Sequence, residues 1–425
     1  MWLRLAAMAA VALVACVPAH AQAQDILTLD EAFARVAQSH PELRLFDTQQ
    51  AVREAERDRA IQRPPLVVGA QVENAFGTGA AHGVDRAELT LTLASVLERG
   101  GKLYARRTLA QSRIDALAVE REATRLDLLA EVARRYLDVV AARQQQSIAR
   151  LDIAQRERTV AGARRRLDAG ASPESVVLTA QAALARAELD RDRAGQRLEA
   201  AHQNLAALWG ERDPSFDIVD TDPLRLPDIA DFASLSALLD KTPELTRFVD
   251  EQRIREARLQ LARSEASTDI DWQVGVRRLQ DEGDNALVGS ISMPLWSNRR
   301  AQPGIRAAQA ELAGLSIERE AKDLSLYSTL AEAHGRYRTA KLEVERLQLD
   351  VLPKLARAEG AAERAYRAGA ISYLEWAQLQ SDRTATRRQQ LDAALDAQRA
   401  LIEIQRLTGQ PFVVAAPPAD KGEGK

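Results

Sequence analysis

The chain has 425 residues, of which 46% are hydrophobic, 28% charged and only 4% aromatic. Its 58 basic and 61 acidic residues leave a formal net charge of -3, which excludes the basic excess of an extended nucleic-acid surface. The scarcity of aromatics excludes a thick globular core, and the prevalence of Ala, Leu, Arg, Glu and Gln is the composition of long helices and coiled coils.

In chain order, the first segment is MWLRLAAMAAVALVACVPAHAQAQ. Arg4 precedes an apolar run from Leu5 to Val17, and Ala19-His20-Ala21 offers a small-residue cleavage site. Residues 1–21 therefore read as a secretory signal peptide, too short for a stable membrane helix. The only cysteine, Cys16, lies inside it. Leu13-Val14-Ala15-Cys16 also fits the pattern at which bacterial lipoproteins are cut and acylated, so lipidation of Cys16 stands as the alternative to cleavage after Ala21. No later segment reaches the roughly 18 apolar residues of a membrane helix, so any bilayer span must be built some other way.

The rest is a duplication. His40-Pro-Glu-Leu-Arg-Leu-Phe46 aligns with Thr242-Pro-Glu-Leu-Thr-Arg-Phe248, and the same register puts Gln50 on Gln252 and Arg53-Glu54-Ala55 on Arg255-Glu256-Ala257. Glu120-Arg-Glu-Ala123 matches Glu318-Arg-Glu-Ala321, Ala169-Gly170-Ala171 matches Ala368-Gly369-Ala370, and Gln181 matches Gln380. Each half closes on Leu-x-Gly, at Leu208 to Gly210 and Leu407 to Gly409. The first repeat covers 25–209 and the second 236–410. They are joined by a Pro- and Asp-rich connector at 210–235 and followed by a tail at 411–425 that reads as disordered.

Each repeat predicts the same elements. A helix comes first, at about 41–63 and 243–266, with Pro41 and Pro243 in the first turn where a missing N–H costs nothing. A strand pair follows, 66–75 with 87–96 and 268–279 with 286–295. A very long helical stretch then runs over 100–168 and 301–367, with an apolar stripe such as Leu126, Leu129, Ala133, Tyr136 and Val140. After a short corner, a return helix occupies 173–209 and 372–408. About 70 helical residues would extend roughly 100 Å, a length no compact domain needs.

The strands alternate. Leu89, Leu91 and Leu93 fall on one face, as do Ile270, Trp272, Val274 and Val276, and less cleanly Leu287, Ile291 and Met293. A soluble sheet alternates too, but its apolar face needs a cover, and the other apolar surface here is a seam committed to helices. Read as lipid-facing, four strands cannot close a barrel, and an open edge cannot sit in lipid. The chain must then pool strands with copies of itself, exposing the hairpin loops at 77–86 and 280–285.

At the corners, Gly170 and Gly369 suit the left-handed conformation that ends a helix. Ser172 is expected to cap the first return helix, with Pro173 at its first position and Glu174 at its positive end. Ser372 with Glu375 forms a capping box. Small residues there, Ala171 and Ala370, keep each corner narrow. The five histidines, His20, His40, His82, His202 and His334, have no metal-ligand spacing, and no catalytic motif occurs. The reading is of a non-enzyme without a cofactor or metal site.

Thr28-Leu-Asp-Glu-Ala32, the Pro-Glu-Leu starts, Pro294-Leu-Trp-Ser-Asn-Arg-Arg300, Tyr366-Arg-Ala-Gly-Ala-Ile-Ser372 and the closing Leu-Thr-Gly resemble the TolC-like outer-membrane efflux proteins, over essentially the whole mature chain. Within the family the sequence looks most like the CzcC-type branch of heavy-metal RND systems. The resemblance implies a mainly α fold with a membrane β-barrel portion: a homotrimer with a twelve-stranded barrel in the outer membrane and a long periplasmic α-helical barrel. It implies the passive exit duct of a tripartite pump, partnered by a periplasmic adaptor and an inner-membrane RND-type transporter. The substrate would be metal cations, with organic compounds as the alternative. It implies further that Leu167, Asp168, Gly170, Ala171, Ser172 and Pro173, with Tyr366, Arg367, Gly369, Ala370, Ile371 and Ser372, form the adaptor-docking tip. Family members carry acidic rings just after the second corner, which makes Glu375 a pore-gate candidate. The second acidic position is Gln378 here, and the first-half equivalents are Val176 and Thr179. A soluble periplasmic adaptor or a structural coiled-coil protein of the envelope are the competing classes.

Overall fold

A computed structural model of the chain describes residues 26–413. The signal peptide, Cys16 and the tail from 414 onward lie outside the described residues.

Strand β1 (Ile26–Leu27) leads into α1 (Leu29–Ser39) and α2 (Pro41–Ala60). The start of α1 is a capping box: Glu31 donates its N–H to Thr28 Oγ1 at 3.2 Å, while Thr28 N–H reaches Glu31 Oε2 at 2.8 Å. The first hairpin is β2 (Val67–Glu73) and β3 (Glu88–Leu97). Helices α3 (Lys102–Asp115) and α4 (Leu117–Asp168) then descend as one rod, since the residue between them, Ala116, keeps helical dihedrals. Helix α5 (Glu174–Ala206) returns. The second half contains α7 (Pro243–Ser264), after a short β4 (Asp217–Ile218) and α6 (Phe232–Ser236) in the connector. It continues with the hairpin β5 (Ile270–Leu279) and β6 (Asn285–Ser292), the rod α8 (Ser297–Arg346) and α9 (Leu352–Arg367), and the return helix α10 (Tyr373–Thr408). Pro41 and Pro243 both occupy the first turn of their helices, as expected.

The second rod carries one π-helical turn, Leu347–Val351, immediately before Pro353. Proline has no N–H to give to the preceding turn, and a wider turn absorbs the lost bond.

Three expectations need correction. The connector is not a bare linker. β4 pairs in parallel with β1, Phe216 and Ile218 are buried, and α6 begins inside the range assigned to it. Its Pro and Asp residues signalled a turn-rich segment, but buried Phe216 and Ile218 decide its place. Second, the start of the tail is ordered: Phe412 lies 5.9 Å from the Phe33 ring, and Val413 N–H donates to Gln405 Oε1. Third, the first repeat gains α1, whose Ala32 and Val36 pack on Leu128, Tyr136 and Leu205.

Two apolar clusters hold the middle of the molecule. One joins α1, α4, α5 and the connector around Tyr136 and Leu137; the other joins α6, α7, α8 and α10 around Leu330, Tyr337 and Ile404. Arg406 ties the halves together, contacting Asp127 of α4 (3.0 Å), Glu244 of α7 (3.1 Å) and Glu403 of α10 (2.8 Å).

Candidate functional site

The four longer strands form one antiparallel sheet in the order β2-β3-β5-β6, so the hairpins of the two repeats join edge to edge. The register decides what each face carries. Leu91 pairs with Val276 and Leu93 with Val274; Trp272 pairs with Ile291 and Val276 with Leu287; Ala70 pairs with Leu91 and Val72 with Leu89. Directly paired residues share a face, so Leu89, Leu91, Leu93, Ile270, Trp272, Val274, Val276, Leu287 and Ile291 all lie on one side. Met293 continues that alternation one residue past β6 and is exposed. Among the described residues nothing covers the face: Leu287 is 90% exposed and Ile291 77%.

The opposite face is polar and more enclosed. Arg277 spans it, donating to Thr90 Oγ1 (3.0 Å), Glu88 (2.7 Å) and Glu73 (3.1 Å). Thr90 beneath it is only 3% exposed. Gly69, Thr92 and Gly275 lie in one row across three strands. A Cβ at Gly275 would sit 2.3 Å from the Leu91 carbonyl oxygen, and one at Gly69 2.7 Å from Thr92 Oγ1. The two glycines leave room for the close backbone approach on the polar side that a sheet curling toward that side needs. Ten tilted residues, the length of β3 and β5, rise about 25 Å, the height of an outer-membrane barrel's apolar band. Exposed aromatics sit near both ends of the band: Phe76 in the hairpin loop beyond β2, and Trp296 and Tyr104 below the strands. They match the aromatic girdles of such barrels. Alternation could not find them, because they lie outside the strands.

The outer edges of β2 and β6 have no partner strand among the described residues. No described helix is long and apolar enough to cross a membrane.

The far ends of the two rods meet at a paired tip. Gly170 has φ 69° and Gly369 φ 77°. At each corner two crossed backbone bonds end the helix: Ala171 N–H to Arg166 O (2.8 Å) with Gly170 N–H to Leu167 O (2.8 Å), and Ala370 N–H to Ala365 O (2.9 Å) with Gly369 N–H to Tyr366 O (3.0 Å). Asp168, Gly170, Ala171, Pro173, Arg367, Gly369, Ala370 and Ser372 are exposed; Leu167, Ser172 and Ile371 are half-buried.

Two of the predicted tip residues behave differently. Ser172 does not cap α5. The capping position is Pro173, which has no side-chain donor or acceptor. In the repeat alignment fixed by Gly170 and Gly369, Pro173, not Ser172, stands where Ser372 does. Tyr366 is no surface residue at 5% exposure. It stacks on Trp376 (5.0 Å between centroids, 26°) and meets Tyr373 edge-on. Over its other side lies the Arg166 guanidinium, 4.8 Å from the ring centroid. Arg166 also donates to both corners, through Nη1 to Tyr366 O and Nη2 to Ala171 O. Sequence reading missed this clasp, since one arginine in the run 164–166 carries no signal of its own.

Ser372 and Glu375 do form the capping box. Glu375 Oε2 accepts from Ser372 N–H at 2.8 Å and from its hydroxyl at 3.0 Å. The backbone N–H of Ser372 holds this exposed carboxyl below the usual carboxylate range. Gln378 donates to Asp382 at 2.7 Å. Behind the tip, buried Glu359 of α9 contacts Arg383 of α10 (2.5 Å), Asp152 of α4 accepts from Thr384 (3.1 Å), and Gln380 donates to Thr159 (3.0 Å). Among the described residues, no group of three His, Cys, Asp or Glu side chains is placed to hold a metal ion.

A duplicated chain with an uncovered amphipathic sheet at one end and a paired helical tip at the other has a known counterpart. Residues 31–211 match the family model "Outer membrane efflux protein". Over 316 residues the chain is 26% identical to the cobalt-zinc-cadmium resistance protein CzcC of Cupriavidus metallidurans, covering 74% of this chain and 75% of that protein. The solved structure of CusC superposes with a TM-score of 0.75 at 18% identity, over 90% of this chain and 92% of that one. The outer-membrane protein VceC of Vibrio cholerae gives 0.71 at 17% identity, over 91% and 97%.

The fold is that of the outer-membrane efflux channels. Over residues 31–211 the chain carries the outer-membrane efflux protein pattern, the whole fold is TolC-like with a periplasmic helical extension, and the chain's resemblance among its relatives is to the CzcC type. Its function is that of the outer-membrane channel in a tripartite efflux pump, and its relatives are channels, not enzymes.

Proposed function

We propose that three copies of the chain close a twelve-stranded barrel, β6 of each pairing with β2 of the next, and continue it as a helical duct through the periplasm. The observation that carries this is the four-stranded sheet with its bare apolar face and two edges that have no partner strand among the described residues. Unpaired edge amides cannot remain in lipid, and eight strands from two copies would leave little more than a side-chain-filled interior. Twelve leave a watery lumen lined by the Arg277 face.

The duct passes metal cations delivered by an inner-membrane RND-type transporter. Its likeness to CzcC supports that cargo. A periplasmic adaptor docks on the exposed corner residues, with Gly170, Ala171, Gly369 and Ala370 giving close backbone approach. Glu375 has two roles in this reading: it caps α10 within the protomer, and in the trimer its three carboxylates ring the entrance and favour cations.

The test is a deletion strain complemented with the gene. Cellular cobalt, zinc and cadmium are measured by mass spectrometry beside susceptibility to organic toxicants, and the protein is cross-linked in the outer-membrane fraction. Trimer ladders with lowered cell metal are expected. A monomer without detergent would overturn the channel, and restored resistance to organic compounds alone would overturn the metal cargo. Unchanged cation selectivity of Glu375→Gln in single-channel recordings would remove the gate role.

A further inference from the structure

Where β1 is held along the rod decides between the two readings of the N-terminal segment. Leu27 is fully buried, its carbonyl accepts from the Tyr136 hydroxyl at 3.2 Å, and β1 pairs with β4. Arg143 donates to the Ile218 carbonyl of β4 at 2.8 Å. The chain's first described residues are thus pinned at the level of Tyr136.

That level is far from the membrane. The rod leaves the sheet at Lys102, whose ammonium binds Asp269 at the foot of β5 (2.6 Å). From Lys102 to Tyr136 the helix runs about 50 Å at about 1.5 Å per residue, and an inclination of ~20° leaves about 48 Å along the membrane normal. Helix α2 gives the same ruler independently. It runs antiparallel to the rod, with Ala60 O accepting from Arg106 (2.9 Å) and Asp47 meeting Arg121 (3.3 Å), so each step toward α1 leads away from the sheet.

An acylated Cys16 would have to sit in the headgroup layer, which extends only about 5–7 Å beyond the hydrocarbon and so ends near Lys102. From Cys16 to Ile26 there are ten residues, which reach at most about 35 Å however they run. The shortfall is about 13 Å, more than two helical turns. Closing it would require pulling β1 off β4 and Leu27 out of its buried site.

We infer that Cys16 is not a lipid anchor in the assembled channel, and that the mature chain begins at Gln22, four residues before the β1 strand held at the level of Tyr136. This rests on the channel reading for the position of the membrane. Its test is separate: mass spectrometry of the N-terminal peptide of protein purified from the outer-membrane fraction, beside Cys16→Ser. The expected result is a mature terminus at Gln22, carrying no acyl mass, and unchanged processing and yield of Cys16→Ser. A diacylglyceryl or N-acyl mass on a peptide starting at Cys16 would overturn it, as would retention of Cys16→Ser as uncleaved precursor. Either failure leaves the channel reading intact, because that is scored by the fractionation and cross-linking.

Discussion

Removing the Arg166 side chain should unfasten the tip without unfolding the duct. The guanidinium touches three things: the Tyr366 ring, the Tyr366 carbonyl and the Ala171 carbonyl. The ring contact is worth about 0.5–2 kcal/mol. The carbonyl bonds are worth less than charge-assisted bonds usually are, since Tyr366 O keeps Gly369 N–H and exposed Ala171 turns to water; together they contribute about 1–2 kcal/mol. A loss of about 2–3 kcal/mol raises the open population of the tip roughly 30- to 150-fold. Chymotrypsin cleavage at Tyr366, Tyr373 and Trp376, all buried in the closed tip, reads that population directly. Arg166→Ala should be cut faster by that factor in detergent-solubilised protein, with its melting temperature nearly unchanged, and Arg166→Lys should fall between. A double-mutant cycle with Tyr366→Leu should show coupling of about 1 kcal/mol or more. Additive effects, or cleavage of Arg166→Ala within twofold of wild type, would refute the clasp.

Other outcomes follow from the same contacts. Val274→Arg places a charge on the bare face near its middle, where it costs about 2–4 kcal/mol, so the yield of heat-resistant trimer on gels should collapse, whereas Gln273→Arg on the polar face should assemble. Gly369→Trp should abolish co-purification with the adaptor while leaving the trimer ladder intact; an adaptor still bound would contradict docking at the corner. Burial pushes the Glu403 carboxyl up, but the hydrogen bond from Arg406 and the charges of Arg406 and Arg134 outweigh it and leave it lowered. Its contribution is therefore complete above the ordinary carboxylate range, near pH 4.3, and is lost as pH falls through its lower native value. Thermal stability should drop on acidification below about pH 4, and Glu403→Gln should be less stable at pH 7 with a flatter acid limb.

What the sequence made legible was whatever repeats or alternates. The hairpins, the rods, the glycine corners and the Ser372–Glu375 box each rest on residue types whose local physics suffices. The apolar residues read as lipid-facing came out on one face because alternation and antiparallel register obey the same period of two. What stayed hidden depends on distant partners. The pairing of β1 with β4 involves two residues each, too few for a pattern, and is fixed by Tyr136, Arg143 and the burial of Leu27 and Ile218. Tyr366 looked like a surface residue of a tight turn because nothing local predicts that Trp376, a full turn into the next helix, folds back onto it.

Duplication also explains why the two corners are not equivalent. The glycines and crossed backbone bonds are shared, because a helix reversal needs them in either half. The residues around them have diverged: Arg166 corresponds to Ala365, Leu167 to Tyr366, Pro173 to Ser372 and Val176 to Glu375. An arginine on one corner grips an aromatic that exists only on the other, so the halves became a single tip by losing their symmetry. The exposed acids stand at different positions, Asp168 and Glu174 on the first corner and Glu375 on the second. A closed ring of three chains therefore presents six tips in two chemically distinct sets of three, alternating around the mouth. A partner that docks on both sets must itself offer two different surfaces, or bind one shared surface in two different ways.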